Sequence, residues 1–308
     1  NAYSAEKQME ILNHYRLAFI DETTVNWCAE LGTVLANEEV VNGVSERGGY
    51  PVVRKKMKQW SMRISAFADR LLKGFDSLDW PEPLKEMQRN WIGKSVGASV
   101  RFCIENSHRE IEVFTTRPDT LFGVTFLTLA PEHEWVNEIT TPSQKAEVDA
   151  YVKQAAQRSE RERMSEVDRI SGVFTGAFAL HPITNEKVPI WIGDYVLAGY
   201  GTGAVMAVPC GDQRDFDFAT HFDLPIKNIF KNVDVSEAAH TSKENTRIAN
   251  SDFLDGLPVA KATQKVIEAL AKNGMGEGAT TYRLRDAVFS RQRYWGEPIP
   301  VYYVNGQP

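Results

Sequence analysis

Residues 201–219 read Gly-Thr-Gly-Ala-Val-Met-Ala-Val-Pro-Cys-Gly-Asp-Gln-Arg-Asp-Phe-Asp-Phe-Ala. The Gly-Thr-Gly turn leads into a strand of small apolar residues that stops at Pro209, and three acidic residues and one arginine follow within six positions. Carboxylates held at a strand end sit on a rigid element, where they can bind a cationic group of a substrate. The stretch therefore predicts a strand followed by a helix start that presents acidic side chains.

A second polar island lies about eighty residues earlier, at 114–123, and reads Phe-Thr-Thr-Arg-Pro-Asp-Thr-Leu-Phe-Gly. It places three threonines, an arginine and an aspartate beside Pro118, which fixes the backbone of the turn. Either island alone is typical of a polar surface loop. Together they indicate one functional site.

The composition is that of an ordinary globular protein. The chain has 308 residues, of which 43% are hydrophobic and 25% charged, enough for two domains. No apolar run approaches the roughly 18 residues that span a bilayer. The start, Asn1 to Glu10, does not resemble a secretory signal. Because the chain lacks an initial methionine and stops in mid-pattern, we expect a piece of a longer protein.

Cysteine usage and charge limit the function classes. Cys28, Cys103 and Cys210 are far apart and odd in number, which favours a reducing, cytoplasmic location over a disulfide framework. No pair has Cys-x-x-Cys spacing, so we expect no zinc site. The net charge of −6 counts against nucleic-acid binding, although local charge can override the total.

The chain changes character near residues 94–98. Before it, the periodicity predicts a helix over 4–20, a β-ribbon over 23–57 and a helix over 61–75, with a last helical turn closed by Gly93. After it, apolar residues alternate with period two, as in a sheet. Strands are expected near 98–102, 110–114, 124–130, 173–180, 187–198 and 202–208, and helices over 143–157 and 259–272. We interpret the charge run 158–169 as a solvated helix end or loop.

Four segments resemble bacterial leucyl-tRNA synthetases and occur in the order found in that family. They are Asn-Trp-Ile-Gly-Lys-Ser at 90–95, Thr-Thr-Arg-Pro-Asp-Thr at 115–120, the stretch 201–219, and Ser-Arg-Gln-Arg-Tyr-Trp-Gly at 290–296. Valyl and isoleucyl enzymes share the Gly-Thr-Gly-Ala turn, but Gln213-Arg214-Asp215 after the proline is a leucyl feature.

The resemblance implies a mixed α/β fold in which a β-rich editing domain, residues 95–282, is inserted into a class I Rossmann-type catalytic domain. Residues 1–94, with a zinc-knuckle-like ribbon that lacks metal ligands, and 283–308 would belong to that catalytic domain. The implied activity is post-transfer editing, the hydrolysis of the ester that joins a wrong amino acid to tRNA(Leu).

The implied cofactors and partners follow from the same family. Editing would need no cofactor and no metal, whereas ATP and Mg²⁺ would serve leucine–tRNA ligation in the full-length enzyme. The His-x-Gly-His and Lys-Met-Ser-Lys signatures do not occur here, so we expect this chain not to activate leucine. The expected partner is the mischarged 3′ end of tRNA(Leu). We expect no membrane partner and a monomeric fragment.

The resemblance assigns the acidic cluster to the substrate. Asp215 would hold the α-ammonium group, for which a carboxylate is the natural partner; alternatively it pairs with Arg214 or caps the helix. Asp212 would orient the loop or a water, or serve only as a helix N-cap. Arg214 would contact the tRNA end or merely neutralise the acidic residues.

The polar island at 114–123, here called the threonine island, would discriminate between leucine and other amino acids. Thr120, whose β-branched side chain is stiff, would exclude leucine and admit smaller chains, unless it is only a turn residue. Thr115 and Thr116 would bind the terminal adenosine or the attacking water, or bond their own backbone. Arg117 would contact a phosphate or the ester, or simply pair with Asp119.

Tyr200, Met206 and Val208 would line the pocket for the amino-acid side chain, unless they belong to the core. Many relatives carry a histidine where this chain has Gly211, so we assign no histidine general base. Catalysis would then rest on a positioned water, backbone donors and the tRNA ribose. Two alternatives stay open: a valyl- or isoleucyl-type editing domain, and a tRNA 3′-end binding module without chemistry.

Overall fold

The computed structural model describes residues 3–36, 39–41, 43–156, 158, 162–163, 169–198, 201–289 and 302. Contacts divide the chain into two compact units. One comprises Asn1–Lys94 with Tyr282–Pro308, and the other comprises Ser95–Thr281. The stretch 201–219 and the polar island at 114–123 both fall in the second unit.

The first unit is built on a four-stranded antiparallel sheet with the order β13-β5-β1-β2. Its strands are β1 (Ala18–Cys28), β2 (Thr33–Leu35), β5 (Val53–Met62) and β13 (Ala287–Val288), and a separate pair is formed by β3 (Val40–Val41) and β4 (Val44–Ser45). The long β1–β5 pairing runs from Ala18 opposite Met62 to Trp27 opposite Val53.

Three helices accompany this sheet: α1 (Ala5–Tyr15), α2 (Ala68–Gly74) and α3 (Glu82–Ile92). The Ser4 hydroxyl caps α1 by accepting the Lys7 N–H at 3.2 Å. Gly93 ends α3 in the left-handed conformation, with φ of 59°, which a glycine adopts without strain. The predicted helix closed by Gly93 is therefore confirmed.

Two predicted helices of this unit are too long. Residues 18–20, predicted as helix, belong to β1, and residues 61–62 belong to β5. Only Ala68–Gly74 of the predicted second helix is α-helical, preceded by a 3₁₀ turn over Ile64–Phe67. The ends of β1 and β5 pair with each other, so partners about forty residues apart override the local helical period.

The second unit carries a seven-stranded sheet in which β11-β8-β10-β9-β6-β12 are consecutive neighbours and β7 pairs with β6. β8 and β10 run parallel, whereas the pairs β10–β9, β11–β8 and β6–β7 are antiparallel. The strands are β6 (Lys94–Ile104), β7 (Glu110–Thr115), β8 (Phe126–Leu129), β9 (Gly172–Leu180), β10 (Lys187–Gly193), β11 (Ala204–Ala207) and β12 (Gly276–Tyr282).

In the described part of the second unit, the helices of four or more residues are α4 (Val136–Ile139), α5 (Lys145–Ala156), α6 (Gln213–His221) and α7 (Val259–Lys272). The predicted strands and the two predicted helices of this unit are present, with ends that differ by a few residues. The strand predicted over 187–198 is too long, because β10 ends at Gly193 and the chain then turns. The fold is mixed α/β, as predicted. No helix in the described part of the chain is both long and apolar enough to cross a bilayer.

Strand β8 lies between β11 and β10 in the sheet of the second unit, and all four of its residues are buried. On one face, the ring of Phe126 stacks on that of Phe218 from α6, with centroids 5.0 Å apart. Offset aromatic pairs of this kind add to the free energy of burying the rings. The packing fixes α6 against the sheet. Helix α6 begins directly after residues 208–212, here called the acidic loop.

Candidate functional site

Strand pairing brings the two polar islands to the same end of the sheet. In the antiparallel pair β8–β11, Ala207 lies opposite Phe126, and the Thr125 N–H donates to the Ala207 carbonyl at 3.2 Å. The start of one antiparallel strand lies beside the end of its partner. The threonine island therefore enters the sheet where the acidic loop leaves it.

Close contacts join the two islands. A methyl group placed on Gly123 would lie 3.1 Å from Val208 Cγ1 and 3.2 Å from Cys210 Sγ. One placed on Gly211 would lie 3.7 Å from Thr120 Cγ2. The γ-methyl of Thr120 thus faces the turn that carries Gly211, and the two islands form one surface.

The threonine island is closed on itself by hydrogen bonds. Thr115 Oγ1 accepts the Arg117 N–H at 3.0 Å, and Thr120 Oγ1 donates to the Arg117 carbonyl at 2.8 Å. Thr120 is only 2% exposed and lies in the 3₁₀ turn Pro118–Gly123. The hydroxyls of both threonines bond local backbone, and the exposed Thr116 lies between them in sequence.

Arg117 and Asp119 form a partly buried ion pair, with Nη2 and Oδ2 2.9 Å apart; the Asp119 side chain is buried and that of Arg117 is 17% exposed. The Arg117 Nε also donates to this carboxylate, at 3.1 Å to Oδ1. The local pairing weighed from the sequence is thus present. Among the described residues Nη1 of Arg117 has no hydrogen-bond partner, so that one edge of the guanidinium remains available to a ligand.

A buried histidine, His181, is hydrogen-bonded to the backbone of the threonine island. His181 Nδ1 accepts the N–H groups of Ile183 and Thr184, so Nε2 carries the proton and donates to the Leu121 carbonyl at 3.0 Å. Burial lowers the pKa of His181, which keeps the ring neutral. Both ring nitrogens are occupied, and this side chain is structural.

The acidic loop ends in a capped helix. Asp212 Oδ1 accepts the N–H groups of Arg214 at 2.9 Å and Asp215 at 3.2 Å, the arrangement of an N-cap. Asp212 is exposed and begins α6. The N-cap role weighed for Asp212 is therefore present, and it holds Asp215 in the first turn of the helix.

Asp215 is a buried carboxyl group, 8% exposed. Its Oδ2 accepts the Val208 N–H at 2.8 Å, and its Oδ1 has no hydrogen-bond partner among the described residues. Burial and then the charge of Asp212 raise the pKa of Asp215 to about 8, against the opposite effects of Val208 and Arg214. A cation next to Oδ1 would lower the pKa of Asp215 again and favour its ionised form.

The predicted alternative, an ion pair with Arg214, is not found among the described residues. The Arg214 guanidinium lies 5.7 Å from the centre of the Tyr195 ring, and its side chain is exposed. Asp215 and Arg214 are adjacent in the helix and so point in different directions.

The raised pKa predicts that the stability of the protein depends on Asp215 and pH. The folded protein keeps this proton up to about pH 8, whereas an unfolded chain releases it near 3.8. The folded state binds more protons in this window, so the contribution of Asp215 to the free energy of unfolding falls as pH rises. Asp215→Asn keeps a neutral side chain. Relative to wild type, we expect its free energy of unfolding to increase between pH 5 and 8.

Urea unfolding at several pH values measures this difference. Asp217→Asn is the control, because Asp217 lies on the exposed face of the same helix. A constant difference in the free energy of unfolding between Asp215→Asn and wild type across this range would contradict the assignment.

Tyr195 lies near Asp215, although no local sequence pattern marks it as a site residue. Its hydroxyl lies 3.0 Å from Thr128 Oγ1, and burial and the Asp215 charge raise the pKa of the phenol well above its usual value. The phenol therefore stays protonated. It places a polar hydroxyl group near the buried carboxyl group, on the side of the sheet that α6 covers.

The residues predicted to line the pocket differ in their placement. Met206 and Val208 are buried in the core of the second unit, and Tyr200 lies outside the described residues. Gly201 and Gly203 have φ of 65° and 71°, a region that favours glycine. The space around Gly201 is open, so its backbone conformation alone accounts for the glycine.

A cavity of about 420 Å³, including its open mouth, lies beside α6 and shares Tyr195 and Arg214 with the site described above. Arg158, Arg163, Arg169 and Arg214 line it together with Asp194 and Asp217. Arg163 is 4% exposed and donates to the carbonyls of Asp194 and Val196. The prediction of a solvated charge run is therefore wrong at Arg163, because backbone carbonyls beyond β10 desolvate and bind its guanidinium.

Cys210 of the acidic loop is buried, and its sulfur faces Gly123 of the other island. Burial raises the pKa of its thiol to about 11, so the thiol is not ionised at neutral pH and is not a nucleophile. Among the described residues, no group of three His, Cys, Asp or Glu side chains is arranged to hold a metal ion.

Comparison with known proteins decides the family. Residues 89–271 match the family model described as leucyl-tRNA synthetase, editing domain. The chain belongs to this family. The resemblance inferred from the sequence is confirmed, and the matched range contains both islands, α6 and the loop that follows it.

Leucine–tRNA ligases match over the whole chain. That of Christiangramia forsetii is 70% identical over 308 residues, which are 100% of this chain and 32% of the relative. That of Flavobacterium johnsoniae is 66% identical over 312 residues, or 100% of this chain and 33% of the relative. The chain thus spans about a third of the length of the curated relatives it matches.

A solved structure supports the same family. The ternary complex LeuRS-tRNA-LeuAMS of Agrobacterium radiobacter K84 has a TM-score of 0.75 and 37% sequence identity to this chain. The likeness covers 97% of this chain and 34% of that one. The mixed α/β fold described above is therefore shared with a leucyl-tRNA synthetase.

Proposed function

We propose that this chain hydrolyses the ester between a wrong amino acid and the 3′ end of tRNA(Leu), as the editing domain of a leucyl-tRNA synthetase. The observation that carries the proposal is the buried carboxyl group of Asp215, which lies in one of the two converging islands. Its Oδ2 accepts the Val208 N–H, and its Oδ1 has no hydrogen-bond partner within the described part of the chain. Such a carboxyl group can bind a cationic group of a substrate.

The α-ammonium of an esterified amino acid is the cation that fits. An unpaired buried carboxylate is costly, which is why the proton stays on Asp215 up to about pH 8. An ammonium group beside Oδ1 replaces that proton by a charge-assisted hydrogen bond. Binding of the substrate is therefore coupled to ionisation of Asp215. A ligand that lacks the ammonium group gains nothing from this carboxyl group.

Thr120 supplies the size selection. Its γ-methyl faces Gly211, and its hydroxyl bond to the Arg117 carbonyl fixes the side-chain rotamer. A synthetic pocket made for leucine rejects near-isosteres weakly, since one methylene is worth about 1–3 kcal/mol. A second site with a rigid branched wall excludes leucine and admits chains that branch differently.

The polymer end is held by groups at the edge of the site. Thr116 is exposed, Nη1 of Arg117 has no hydrogen-bond partner within the described structure, and Arg214 is exposed on α6. Hydroxyl and guanidinium groups are suited to ribose and phosphate oxygens. The solved LeuRS relative was crystallised with tRNA, which supports assigning tRNA as the partner of this chain.

The remaining steps of the full enzyme are assigned to the rest of the polypeptide. We propose that leucine ligation with ATP and Mg²⁺ depends on segments other than these 308 residues, because the His-x-Gly-His and Lys-Met-Ser-Lys signatures do not occur here. A cytoplasmic location and a monomeric state fit this function.

The test is deacylation of tRNA(Leu) charged with isoleucine or norvaline. We expect this protein to release the wrong amino acid well above the buffer rate and to leave leucyl-tRNA(Leu) intact. Tight binding of the charged tRNA without any release would instead support a binding module without chemistry, which Gly211, with no side chain in the acidic loop, favours.

A further inference from the structure

A small apolar niche lies where the two islands meet, at Gly211 of the acidic loop. A methyl group built on Gly211 would lie 3.4 Å from Val208 Cγ1, 3.5 Å from Phe230 Cζ and 3.7 Å from Thr120 Cγ2. These are ordinary van der Waals distances, so the three side chains leave room for one methyl group and surround it with apolar atoms.

The niche can be reached from solvent. Gly211 is partly exposed, whereas Val208, Phe230 and Thr120 are buried. The accessible side of the niche is therefore the backbone of Gly211, and its walls are the three buried side chains. Because Thr120 Cγ2 is one of these walls, a ligand side chain that contacts this methyl group also meets the niche.

The walls of the niche are held in place. The Gly211 N–H donates to the Val208 carbonyl at 2.9 Å, which closes the turn of the acidic loop. The Phe230 ring packs edge-to-face on His240 with centroids 5.0 Å apart, and the backbone N–H of His240 donates to the Cys210 carbonyl at 2.8 Å. No local sequence pattern marks Phe230 as a site residue, because it approaches the loop only in the folded chain.

The backbone at this position does not require a glycine. Gly201 and Gly203 have φ of 65° and 71°, whereas Gly211 lies outside the range of φ that disfavours side chains. A side chain would therefore be tolerated here without backbone strain. What the glycine provides is the empty volume beside Thr120.

We propose that Gly211 determines specificity by leaving a niche for the methyl branch of isoleucine, an inference that rests on the proposed editing hydrolysis. Isoleucine is norvaline with one methyl group added on the β-carbon, and leucine is norvaline with one methyl group added on the γ-carbon. The niche has room for one such methyl group. It accepts the branch of isoleucine, while the rigid γ-methyl of Thr120 excludes that of leucine.

Gly211→Ala fills the niche with a methyl group of the protein. With isoleucyl-tRNA(Leu), we expect kcat/KM to fall about tenfold or more, because one methylene in an apolar pocket discriminates by about 10- to 200-fold. With norvalyl-tRNA(Leu), whose side chain has no branch to place there, kcat/KM should stay within about threefold of wild type.

Gly278→Ala is the matched control. It makes the same substitution on the exposed part of β12, where the added methyl group would lie 3.5 Å from Ile267 Cγ2. The positive φ region is likewise not used at Gly278. This variant should release both amino acids at the wild-type kcat/KM.

The ratio of the two kcat/KM values separates a specificity role from a structural one, because a disturbed fold or a slowed reaction lowers both values alike. A wild-type ratio in Gly211→Ala, whether both values are kept or both fall, would overturn the assignment. If the wild-type protein releases neither amino acid, the proposed function fails, and this inference fails with it. If wild type releases both and Gly211→Ala keeps the ratio, only this inference fails.

Discussion

Asp215→Asn is expected to lower kcat/KM for deacylation of isoleucyl-tRNA(Leu) about 100- to 1,000-fold. Removing one charge of a desolvated, hydrogen-bonded ion pair costs about 2–5 kcal/mol, and each 1.4 kcal/mol is tenfold. The amide has the size of the carboxyl group, and its oxygen can still accept the Val208 N–H. The loss therefore reports the contact to the ammonium group and not a change of fold.

The control for this measurement is Asp217→Asn, which changes the same charge two residues along the same helix on an exposed face. It should keep kcat/KM within about threefold of wild type, since exposed charges contribute little. The assignment of Asp215 would be wrong if its amide variant deacylated the charged tRNA as fast as the control does.

Thr120→Ala is expected to make leucyl-tRNA(Leu) a substrate. Removing the γ-methyl and the hydroxyl opens space opposite Gly211, where the methyl of Thr120 now lies. Pocket differences of one methylene discriminate by about 10- to 200-fold, so release of leucine should rise by at least about tenfold. Release of isoleucine should change little, because the Asp215 contact is intact.

Thr120→Val separates shape from turn structure. Valine keeps the branched outline but loses the bond of the hydroxyl to the Arg117 carbonyl, at a cost of about 1 kcal/mol of stability. If the branched wall excludes leucine, the valine variant protects leucyl-tRNA(Leu) and the alanine variant does not. Equal release of leucine by both variants would assign Thr120 to the turn alone.

Local sequence predicted the elements whose character depends on near neighbours. Alternating residues predicted β6 and β7, helical spacing predicted α7, and Gly93 predicted the end of α3. The same local reasoning failed at residues 18–20, where a helical period extends into β1. Pairing with β5 decided that segment, and its partners lie about forty residues away.

The motifs by themselves determined the family, because four spaced segments carry more information than any single loop. They also named Asp215, Thr120 and Arg117 as candidates, and the structure brings Asp215 and Thr120 to one end of the sheet. Their roles stay predictions until the variants above are measured. Sequence also offered local alternatives, and it could not say that Asp212 caps α6 while Asp215 stays clear of Arg214.

Only the tertiary structure decided how these side chains are desolvated and which distant groups reach them. The register of β8 with β11, the burial that holds a proton on Asp215, and the contact of Thr120 with the turn at Gly211 all depend on residues far apart in the chain. Burial and hydrogen bonding depend on every neighbour in space, whereas a sequence pattern reports neighbours along the chain. For that reason the sequence identified the candidate side chains, whereas only the fold determined their burial and their hydrogen-bond partners.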